Sequence, residues 1–528
     1  MKVLAADGVS PRGIEILREA GFTVEVKDKL TAEELLATIG AYDALIVRSA
    51  SKVTKEVLAA GKNLKIIGRA GVGVDNIDVS AATAAGIIVI NSPGGNTTAA
   101  TEHTIGMMLA MARHIPVANE TTQKGEWNRK QYVGVELRGK TLGVVGLGRI
   151  GAGVAKRAQA FEMNVIGYDP YVTEDRARVM GVELVTLEQI VERSDFITVH
   201  MPLTAETRNM FHKDNLAKMK KGVRLVNCAR GGIINEEDLA AAVKAGVVAG
   251  AAIDVFTTEP IPPDHPLLGL PGVVLTPHLG ASTIEAQIGV SIDVAEGIVS
   301  ALRGEPVMTA VNMAPVSPQV MNVIKPFFDL AERLGCMAEA LAEGAVCAVE
   351  VEYTGDITEV NTKLLTTAVL KGLLNPILET TVNYVNAPGL AKDRGIAVRE
   401  VKSKEAANFT NLITVKAETE KKTVVLQGAL FGSEGRVVSI DGYRVDVDPH
   451  KRILLCPHIN RPGIIGKVGS LMGDEGINIS GMQVGKTEQE GTNIMVLTID
   501  NEVPAAVIEQ VAALDGIFGA KLIDFDLL

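Results

Sequence analysis

Three reactive side chains in the middle of the chain each follow the end of an apparent strand. They are Arg230 in VNCARGG, Glu259 in DVFTTEP and His278 in TPHLGAS. Oxidation of a hydroxyl by hydride loss requires a base for the hydroxyl proton, and histidine titrates in the useful range. A neighbouring carboxylate would orient the imidazole, and a guanidinium would hold a substrate carboxylate in a two-pronged contact. These residue types together predict oxidation of a 2-hydroxy acid.

Each of these residues also has a purely structural interpretation when it is taken singly. Glu259 precedes Pro260 and would suit a turn, and Arg230 precedes two glycines. A lone histidine after Pro277 is more often structural than catalytic. Ligands of a doubly wound sheet bind at the carboxyl ends of its strands. Because all three residues occupy such positions, we predict that they form one site.

A glycine-rich turn lies ahead of these segments. Gly146, Gly148 and Gly151 form G-x-G-x-x-G after the apolar run 141–145, and Asp169 ends the next apparent strand. The motif is weak by itself, but strand, turn and helix in this order indicate a dinucleotide site. The glycines allow the tight turn, the approach of backbone to pyrophosphate, and close packing of helix on strand. Since Asp169 would bind ribose hydroxyls and repel a 2′-phosphate, NAD is predicted rather than NADP.

Alternating strands and helices must position these groups. The predicted strands of the first part are 3–6, 23–26, 44–47, 65–68 and 87–91, and the predicted helices are 11–20, 31–39, 55–60 and 79–85. A longer helix is predicted over about 98–114, the alternation continues to about 276, and a last helix covers about 283–302. Such alternation is typical of parallel sheets covered on both faces. It predicts an α/β fold of two doubly wound Rossmann-like lobes.

The pattern changes after this helix. Prolines cluster over 306–318, which indicates a domain boundary. Residues 319–450 mix helical patterns with β-rich runs, which predicts an α+β intervening domain. From residue 451 the predicted order is strand, helix, strand, strand, helix, strand, with a hairpin turn at 488–491. This order is that of a small ferredoxin-like domain.

Composition excludes several classes of protein. A chain of 528 residues predicts three or four domains, and a net charge of −11 argues against a nucleic-acid partner. The four scattered cysteines predict neither a structural zinc nor a disulfide framework, so no metal is expected. The opening MKVLAADG does not resemble a signal peptide, and no apolar run is long enough for a membrane span. We therefore expect a cytoplasmic enzyme.

The motifs resemble those of the D-2-hydroxyacid dehydrogenase family. GLGRIG, YDP, VNCARGG, DVFTTEP and TPHLGAS carry this likeness, and RAGVGVDN and NSPGGNT are similar to the members that oxidise D-3-phosphoglycerate. The likeness extends over the whole chain and corresponds to the long, four-domain form. It implies a substrate lobe of residues 1–96 and 282–310 and an NAD-binding domain of 97–281. It further implies an intervening domain at 311–450 and an ACT domain at 451–528.

The resemblance also implies roles for individual residues. Arg230 would bind the substrate carboxylate, and Glu259 and His278 would form the proton-transfer pair. Besides the three glycines and Asp169, the residues implied at the cofactor are Arg149, Ile150, Cys228, Ala229, Asp254, Gly280 and Ala281. Those implied at the substrate are Arg48, Arg69, Gly71 and Asn96, together with Arg129 from a partner subunit. For Arg48 and Arg69 a solvated loop charge remains the alternative. Val72 and Met201 depart from a common version of the pattern, which has threonine at both positions.

The tail resembles an amino-acid sensor. HINRPGIIGKVGSLMGDEGINISGMQVGK is similar to an ACT domain, and His458, Asn460 and Asn478 match positions that hold L-serine between two such domains. Neutral amide and imidazole groups suit a zwitterion. An ACT domain that only pairs subunits is the alternative. A second effector or anion site near Arg444, Lys451 and Arg452 is a further hypothesis.

The sequence thus predicts NAD-dependent oxidation of D-3-phosphoglycerate to 3-phosphohydroxypyruvate, the first step of L-serine biosynthesis, with feedback by L-serine. A homotetramer is expected, although a dimer remains open. One alternative is a reductase acting on glyoxylate or hydroxypyruvate, against which the ACT-like tail and the paired arginines argue. Another is an NADH-sensing corepressor on the same lobes, which would not need a serine-sensing tail.

Overall fold

The computed structural model describes residues 1–28, 30–303, 305, 307–314, 316, 318–379, 381–404, 409–450, 452–487 and 491–525. Lys451 and most of the expected hairpin turn at 488–491 lie outside these ranges. None of the helices in the described ranges combines the length and the apolar character that crossing a bilayer requires.

The first lobe alternates strands with helices. Its elements are β1 (Lys2–Ala5), α1 (Pro11–Glu19), β2 (Thr23–Val26), α2 (Ala32–Thr38), β3 (Ala44–Val47), α3 (Lys55–Ala60), β4 (Ile66–Arg69), α4 (Val79–Ala84) and β5 (Ile88–Asn91). The strands form a parallel sheet of order β2-β1-β3-β4-β5, with apolar cores on both faces. The predicted strands and helices are confirmed, apart from small shifts at their ends. Local signals explain the helix starts, such as the capping box of Thr31 and Glu34 ahead of α2.

The second lobe is larger. Its helices are α5 (Thr97–Ala112), α6 (Ile115–Gln123), α7 (Arg149–Ala160), α8 (Glu174–Val179), α9 (Leu187–Arg193), α10 (Lys213–Leu216) and α11 (Glu236–Lys244). Its strands are β6 (Thr141–Val145), β7 (Asn164–Tyr168), β8 (Glu183–Leu184), β9 (Phe196–Val199), β10 (Val223–Asn227), β11 (Val248–Ile253) and β12 (Val273–Leu275). All pair in parallel in the order β12-β11-β10-β9-β6-β7-β8. The strand order reverses direction at β6, and ligands bind beyond the strand ends at such a point.

A long helix returns the chain to the first lobe. This helix, α12 (Ile284–Leu302), packs against α1 and β4, whereas α5 packs against α7 in the second lobe. Gly68 on β4 permits the close approach of α12, because a Cβ there would lie 2.3 Å from Val294 Cγ1. The chain therefore completes the first lobe only after it has built the second.

In its described residues, the intervening region combines four α-helices with six strands. They are α13 (Pro318–Ile324), α14 (Phe328–Leu341), β13 (Val346–Gly355), α15 (Lys363–Leu374), α16 (Ala387–Asp393), β14 (Ala397–Ser403), β15 (Asn411–Thr419), β16 (Thr423–Phe431), β17 (Glu434–Ile440) and β18 (Tyr443–Val447). Helices α14 and α15 pack unusually closely, since a Cβ at Gly335 would lie 2.0 Å from the Val369 carbonyl oxygen. Glycine at this position is therefore a packing requirement.

The last region has the ferredoxin-like order that the sequence predicts. Its elements are β19 (Arg452–Ile459), α17 (Ile464–Asp474), β20 (Ile479–Lys486), β21 (Thr492–Ile499), α18 (Ala505–Ala512) and β22 (Lys521–Asp524). Strand β18 pairs with β20 at Arg444 and Lys486, so the last two regions share one sheet of ten strands. Helices α17 and α18 cover one face of its last four strands. Helix α14 covers the other face, where the Arg333 guanidinium stacks over Phe525 at 5.5 Å.

Candidate active site

The glycine turn between β6 and α7 leaves room for a ligand at one position only. Gly146 has φ +95°, and a Cβ there would lie 2.6 Å from the His200 carbonyl oxygen. A Cβ at Gly151 would lie 1.9 Å from the carbonyl oxygen of Gly146, whereas one at Gly148 would meet nothing within 4 Å. Two of the glycines are thus required by packing, and Gly148 faces open space.

The surroundings of this turn fit the pyrophosphate and ribose of a dinucleotide. Helix α7 begins after Gly148 without a side-chain cap, so its first backbone N–H groups are free to donate to an anion. Arg149 is exposed and Ile150 is half-buried at this helix end. Asp169 directly follows β7 and accepts hydrogen bonds from the backbone N–H groups of Leu147, at 2.8 Å, and Tyr171, at 2.9 Å. Its two carboxylate oxygens keep further acceptor capacity for ribose hydroxyls.

The histidine and the glutamate singled out in the sequence are in direct contact. His278 Nδ1 lies 2.8 Å from Glu259 Oε2, and Glu259 Oε1 accepts a hydrogen bond of 2.9 Å from the Phe256 N–H. Burial opposes ionisation of Glu259, but the bonds from His278 and Phe256 outweigh it and hold the pKa of Glu259 below its usual value. The glutamate is therefore a carboxylate that orients the imidazole, and about half of the His278 side chain stays exposed (47%).

Asp254 holds the backbone that carries His278. Its carboxylate is fully buried and accepts hydrogen bonds from the N–H groups of Leu279, at 2.8 Å, and Gly280, at 2.9 Å. The His278 N–H donates to the Asp254 carbonyl oxygen at 2.9 Å, which supports the left-handed φ of +56° at His278. Asp254 thus lies beneath the segment, and its contact with the cofactor stays a prediction, as does that of half-buried Ala281.

A buried cluster lies behind Asp254. His103 Nε2 is 3.1 Å from Asp254 Oδ1, and the ligand atoms of His103, Cys228 and Asp254 lie within 4.8 Å of one another. Burial, aided by the charge of Asp254, raises the pKa of Cys228 to about 12. Since Asp254 accepts from the backbone N–H groups of Leu279 and Gly280, the cluster supports the segment that carries His278. Cys228 and half-buried Ala229 lead directly into Arg230.

Arg230 connects the two lobes. Its Nε lies 3.1 Å from Asp75 Oδ2 of the first lobe, and its Nη1 donates to the Ala229 carbonyl oxygen at 2.7 Å. Asn227 fixes the turn by donating to the Arg230 carbonyl oxygen at 2.9 Å. A Cβ at Gly73 would lie 1.9 Å from Arg230 Nη2, so backbone of the first lobe lies directly against the guanidinium.

Arg69 lies near two further arginines, Arg230 and Arg48, whose charges both act on it. Burial first, and then the charges of Arg230 and Arg48, lower the pKa of Arg69 to about 10. The Nε of Arg69 is buried without a hydrogen-bond partner in the described structure, and a Cβ at Gly71 would lie 1.6 Å from Arg69 Nη1. Like charges with an unused donor are unfavourable without an anion. This corner therefore fits an anionic substrate.

Two predicted substrate residues differ in their placement. Asn96 begins α5, and its Oδ1 is buried without a hydrogen-bond partner among the described residues. Arg129 lies in the short 3-10 turn Arg129–Gln131 and is exposed. Among the described residues, no contact joins Arg129 to Arg69 or Arg230. Its role at a partner's substrate site therefore stays a prediction.

The three predicted effector residues do not meet within one chain. His458 and Asn460 lie at the carboxyl end of β19, whereas Asn478 directly precedes β20. Strand β21 lies between these strands, and its Asn493 is level with His458 while its Ile499 is level with Ile479. This register separates Asn478 from His458 by roughly 20 Å along the sheet, at about 3.3 Å per residue. His458 is buried, and its Nε2 has no hydrogen-bond partner among the described residues.

Several contacts at this site were not foreseen from the sequence. Asp75 lies within RAGVGVDN, but its partner Arg230 is 155 residues away. Neither His103 nor the buried pair His265 and Glu236, 29 residues apart, belongs to a motif with a known chemical role. Spacing in the sequence gives no signal for such pairs, because tertiary packing alone brings them together.

Comparison with known protein families gives three matches along the chain. Residues 105–280 match the family described as D-isomer specific 2-hydroxyacid dehydrogenase, NAD binding domain. Residues 323–441 match the D-3-phosphoglycerate dehydrogenase intervening domain, and residues 453–516 match the ACT domain.

Relatives and a solved structure agree with these matches. A D-3-phosphoglycerate dehydrogenase of Archaeoglobus fulgidus is 46% identical over 526 residues, covering 99% of this chain and 100% of that one. A D-3-phosphoglycerate dehydrogenase of Methanocaldococcus jannaschii is 47% identical over 525 residues, with the same coverage. The structure of a glyoxylate reductase from Paecilomyes thermophila is 32% identical with a TM-score of 0.55, covering 59% of this chain and 98% of that one. The chain therefore belongs to the D-3-phosphoglycerate dehydrogenases, within the family of D-isomer specific 2-hydroxyacid dehydrogenases.

Proposed function

We propose that this chain catalyses the NAD-dependent oxidation of D-3-phosphoglycerate to 3-phosphohydroxypyruvate, the first step of L-serine biosynthesis. The observation that carries the proposal is the contact of 2.8 Å between His278 and Glu259 at the strand edge that also bears Arg230. Full-length relatives at 46% and 47% identity are named D-3-phosphoglycerate dehydrogenase, which supports the proposal.

The residues at the strand ends divide the chemistry between them. His278 accepts the proton of the substrate hydroxyl, and the Glu259 carboxylate stabilises the imidazolium that results. Arg230 holds the substrate carboxylate and polarises the developing carbonyl. NAD, when bound at the glycine turn, supplies the acceptor for the hydride. Before substrate binds, Asp75 supplies the counter-charge for Arg230, and the substrate carboxylate replaces it.

Arg48 and Arg69 are proposed to recognise the phosphate, with Gly71 and Asn96 lining the same corner. The support is the lowered pKa of Arg69, which burial and the charges of Arg230 and Arg48 produce, together with its unpartnered Nε. A dianionic phosphate would relieve this repulsion and accept the free hydrogen bond. A reductase acting on glyoxylate has no phosphate to place there, which favours the phosphorylated substrate.

We also propose feedback inhibition by L-serine, bound between two ACT domains. His458 and Asn460 of one chain would meet Asn478 of another, because the register of the sheet separates them within a chain. The unpartnered Nε2 of buried His458 is a free group for an amino-acid ligand. An anion site near Arg444 and Arg452 is a further proposal, and its third residue, Lys451, lies outside the described structure.

This arrangement requires more than one chain, and a homotetramer is proposed. Trp127 and Val133 support association through the second lobe, since they are 84% and 79% exposed. A partner subunit that covered these two side chains would remove their apolar surface from water, which favours association. Arg129 lies between them in the chain and is proposed to reach a partner's substrate site. Four cysteines without disulfides fit the proposed cytoplasmic location.

One steady-state assay tests the assignment. NADH formation is followed with D-3-phosphoglycerate and NAD, and D-glycerate serves as a matched substrate that lacks the phosphate. We expect turnover with D-3-phosphoglycerate, much weaker turnover with D-glycerate, and inhibition by added L-serine. Equal rates on the two substrates would refute the phosphate site. NADH binding without turnover of any 2-hydroxy acid would favour a corepressor.

A further inference from the structure

A second histidine–glutamate pair lies behind the catalytic one. His265 Nε2 is 2.8 Å from Glu236 Oε2, and both side chains are largely buried, with exposed fractions of 7% and 13%. Glu236 begins α11, and His265 lies in the loop that follows Glu259. The proposed chemistry uses neither residue.

The hydrogen bonds of this pair define which of its atoms donate and which accept. His265 Nδ1 accepts from the Leu267 N–H at 3.4 Å, so Nε2 carries the proton that is donated to Glu236. The other oxygen of Glu236 accepts from the N–H of Thr257, at 2.7 Å, and from its hydroxyl, at 2.8 Å. Glu236 is therefore a carboxylate whose donors all come from the loop between β11 and His265.

The Phe256–Thr257 peptide connects this pair to the catalytic residues. Thr257 is fixed by Glu236, and the adjacent Phe256 N–H donates to Glu259 Oε1 at 2.9 Å. The ring of Phe256 meets the His265 ring edge-on, with centroids 5.5 Å apart.

The same peptide supports the arginine turn. A Cβ at Gly231, the residue after Arg230, would lie 2.0 Å from the Phe256 carbonyl carbon and 2.5 Å from the Thr257 nitrogen. Movement of this peptide would therefore displace Glu259 and the Arg230 turn together.

We propose that Glu236 and His265 are positioning residues that fix the Phe256–Thr257 peptide. Through this peptide they keep Glu259 and Arg230 in the positions that catalysis requires. The inference rests on the proposed function, because Glu236 and His265 would act only through Glu259 and Arg230. Loss of the Glu236 carboxylate frees Thr257 and shifts the peptide. A misplacement of about 1 Å in a catalytic group can cost on the order of 100-fold in rate.

The first test compares Glu236→Ala with Glu236→Gln, whose amide oxygen still accepts from Thr257. For Glu236→Ala we expect kcat to fall about 30-fold while KM for NAD changes less than about twofold. Glu236→Gln should recover part of the lost rate, because its oxygen still accepts from Thr257 while its amide NH2 faces the N–H of His265 Nε2. His265→Leu keeps the approximate volume and should lower kcat in the same direction, by about tenfold. His212→Gln, at an exposed pair with Asp214 in the same lobe, is the control and should match the wild type.

A double-mutant cycle separates positioning from general structural damage. In a Glu259→Gln background, Glu236→Ala should lower kcat by less than about threefold, because its main target is already lost. An equal fold-loss in both backgrounds would overturn the inference, and so would near-normal kcat in Glu236→Ala. If Glu236→Ala does not fold, the same cycle with His265→Leu decides. Absence of turnover in the wild type would instead refute the proposed function.

Discussion

The two lobes of the dehydrogenase and the ACT region place their candidate functional residues in opposite ways. In the second lobe, Arg230, Glu259 and His278 follow β10, β11 and β12, which are neighbours in one parallel sheet. In the ACT region, the strands that carry His458 and Asn478 are separated by β21 and present opposite ends. Parallel neighbours bring residues far apart in the chain to one edge, because their carboxyl ends coincide. The three proposed catalytic residues therefore lie at one edge within a single chain, whereas the proposed serine site would need residues of two chains.

The largest expected effect concerns the base. His278→Gln should lower kcat about 1,000-fold, within the range for loss of a general base, while NADH binding is unchanged. Steady-state turnover and a fluorescence titration with NADH check both statements. His212→Gln again serves as the control. A His278 variant with more than a tenth of the wild-type kcat would contradict the mechanism.

The second largest effect is expected for Arg230, which lies at the same edge of the sheet as His278. Arg230→Lys keeps the charge but loses the two-pronged contact, so kcat/KM for D-3-phosphoglycerate should fall about 100-fold. Arg138→Lys, in an exposed ion pair with Glu162, is the matched control and should be neutral. Wild-type kcat/KM in Arg230→Lys would show that only charge is needed there.

A stability test probes the intervening region separately from catalysis. Gly335→Ala forces a Cβ against the Val369 carbonyl oxygen and should destabilise the intervening region by about 2 kcal/mol, as overpacking does. The helix preference of alanine offsets only part of this loss. Gly389→Ala, where a Cβ would meet nothing within 4 Å, is the control in the same region. Denaturant unfolding measures both variants, and equal stability would show that α14 and α15 separate at little cost.

The smallest effect on turnover is expected in the sensor. Asn478→Ala should raise the serine concentration for half inhibition about tenfold, since one hydrogen-bonding side chain is lost, and leave kcat unchanged. When a His458→Ala chain pairs with an Asn478→Ala chain, one of the two sites between them keeps the wild-type Asn478 of the first chain and the wild-type His458 of the second. Mixtures of the two variants should therefore recover part of the serine sensitivity that either variant lacks alone. Mixtures as insensitive as the separate variants would mean that no site is shared between chains.

The regions also differ in how far the sequence predicted them. The strands of the first lobe are apolar runs between helical patterns, so the sequence alone predicted their positions. Strand β14 has the sequence AVREVKS and is mostly exposed, and it was not singled out. The pairing of β18 with β20 was also unforeseen, because it joins residues that no local pattern relates.

The sequence by itself determined the residue types at the strand ends, the glycine turn and the order of the elements. Each of these depends on local periodicity or on a few adjacent residues. Tertiary structure alone decided that Asp75 faces Arg230, that Glu236 and His265 lie behind Glu259, and that Asn478 lies far from His458. These relations depend on strand order and register, which long-range packing fixes and local sequence does not encode.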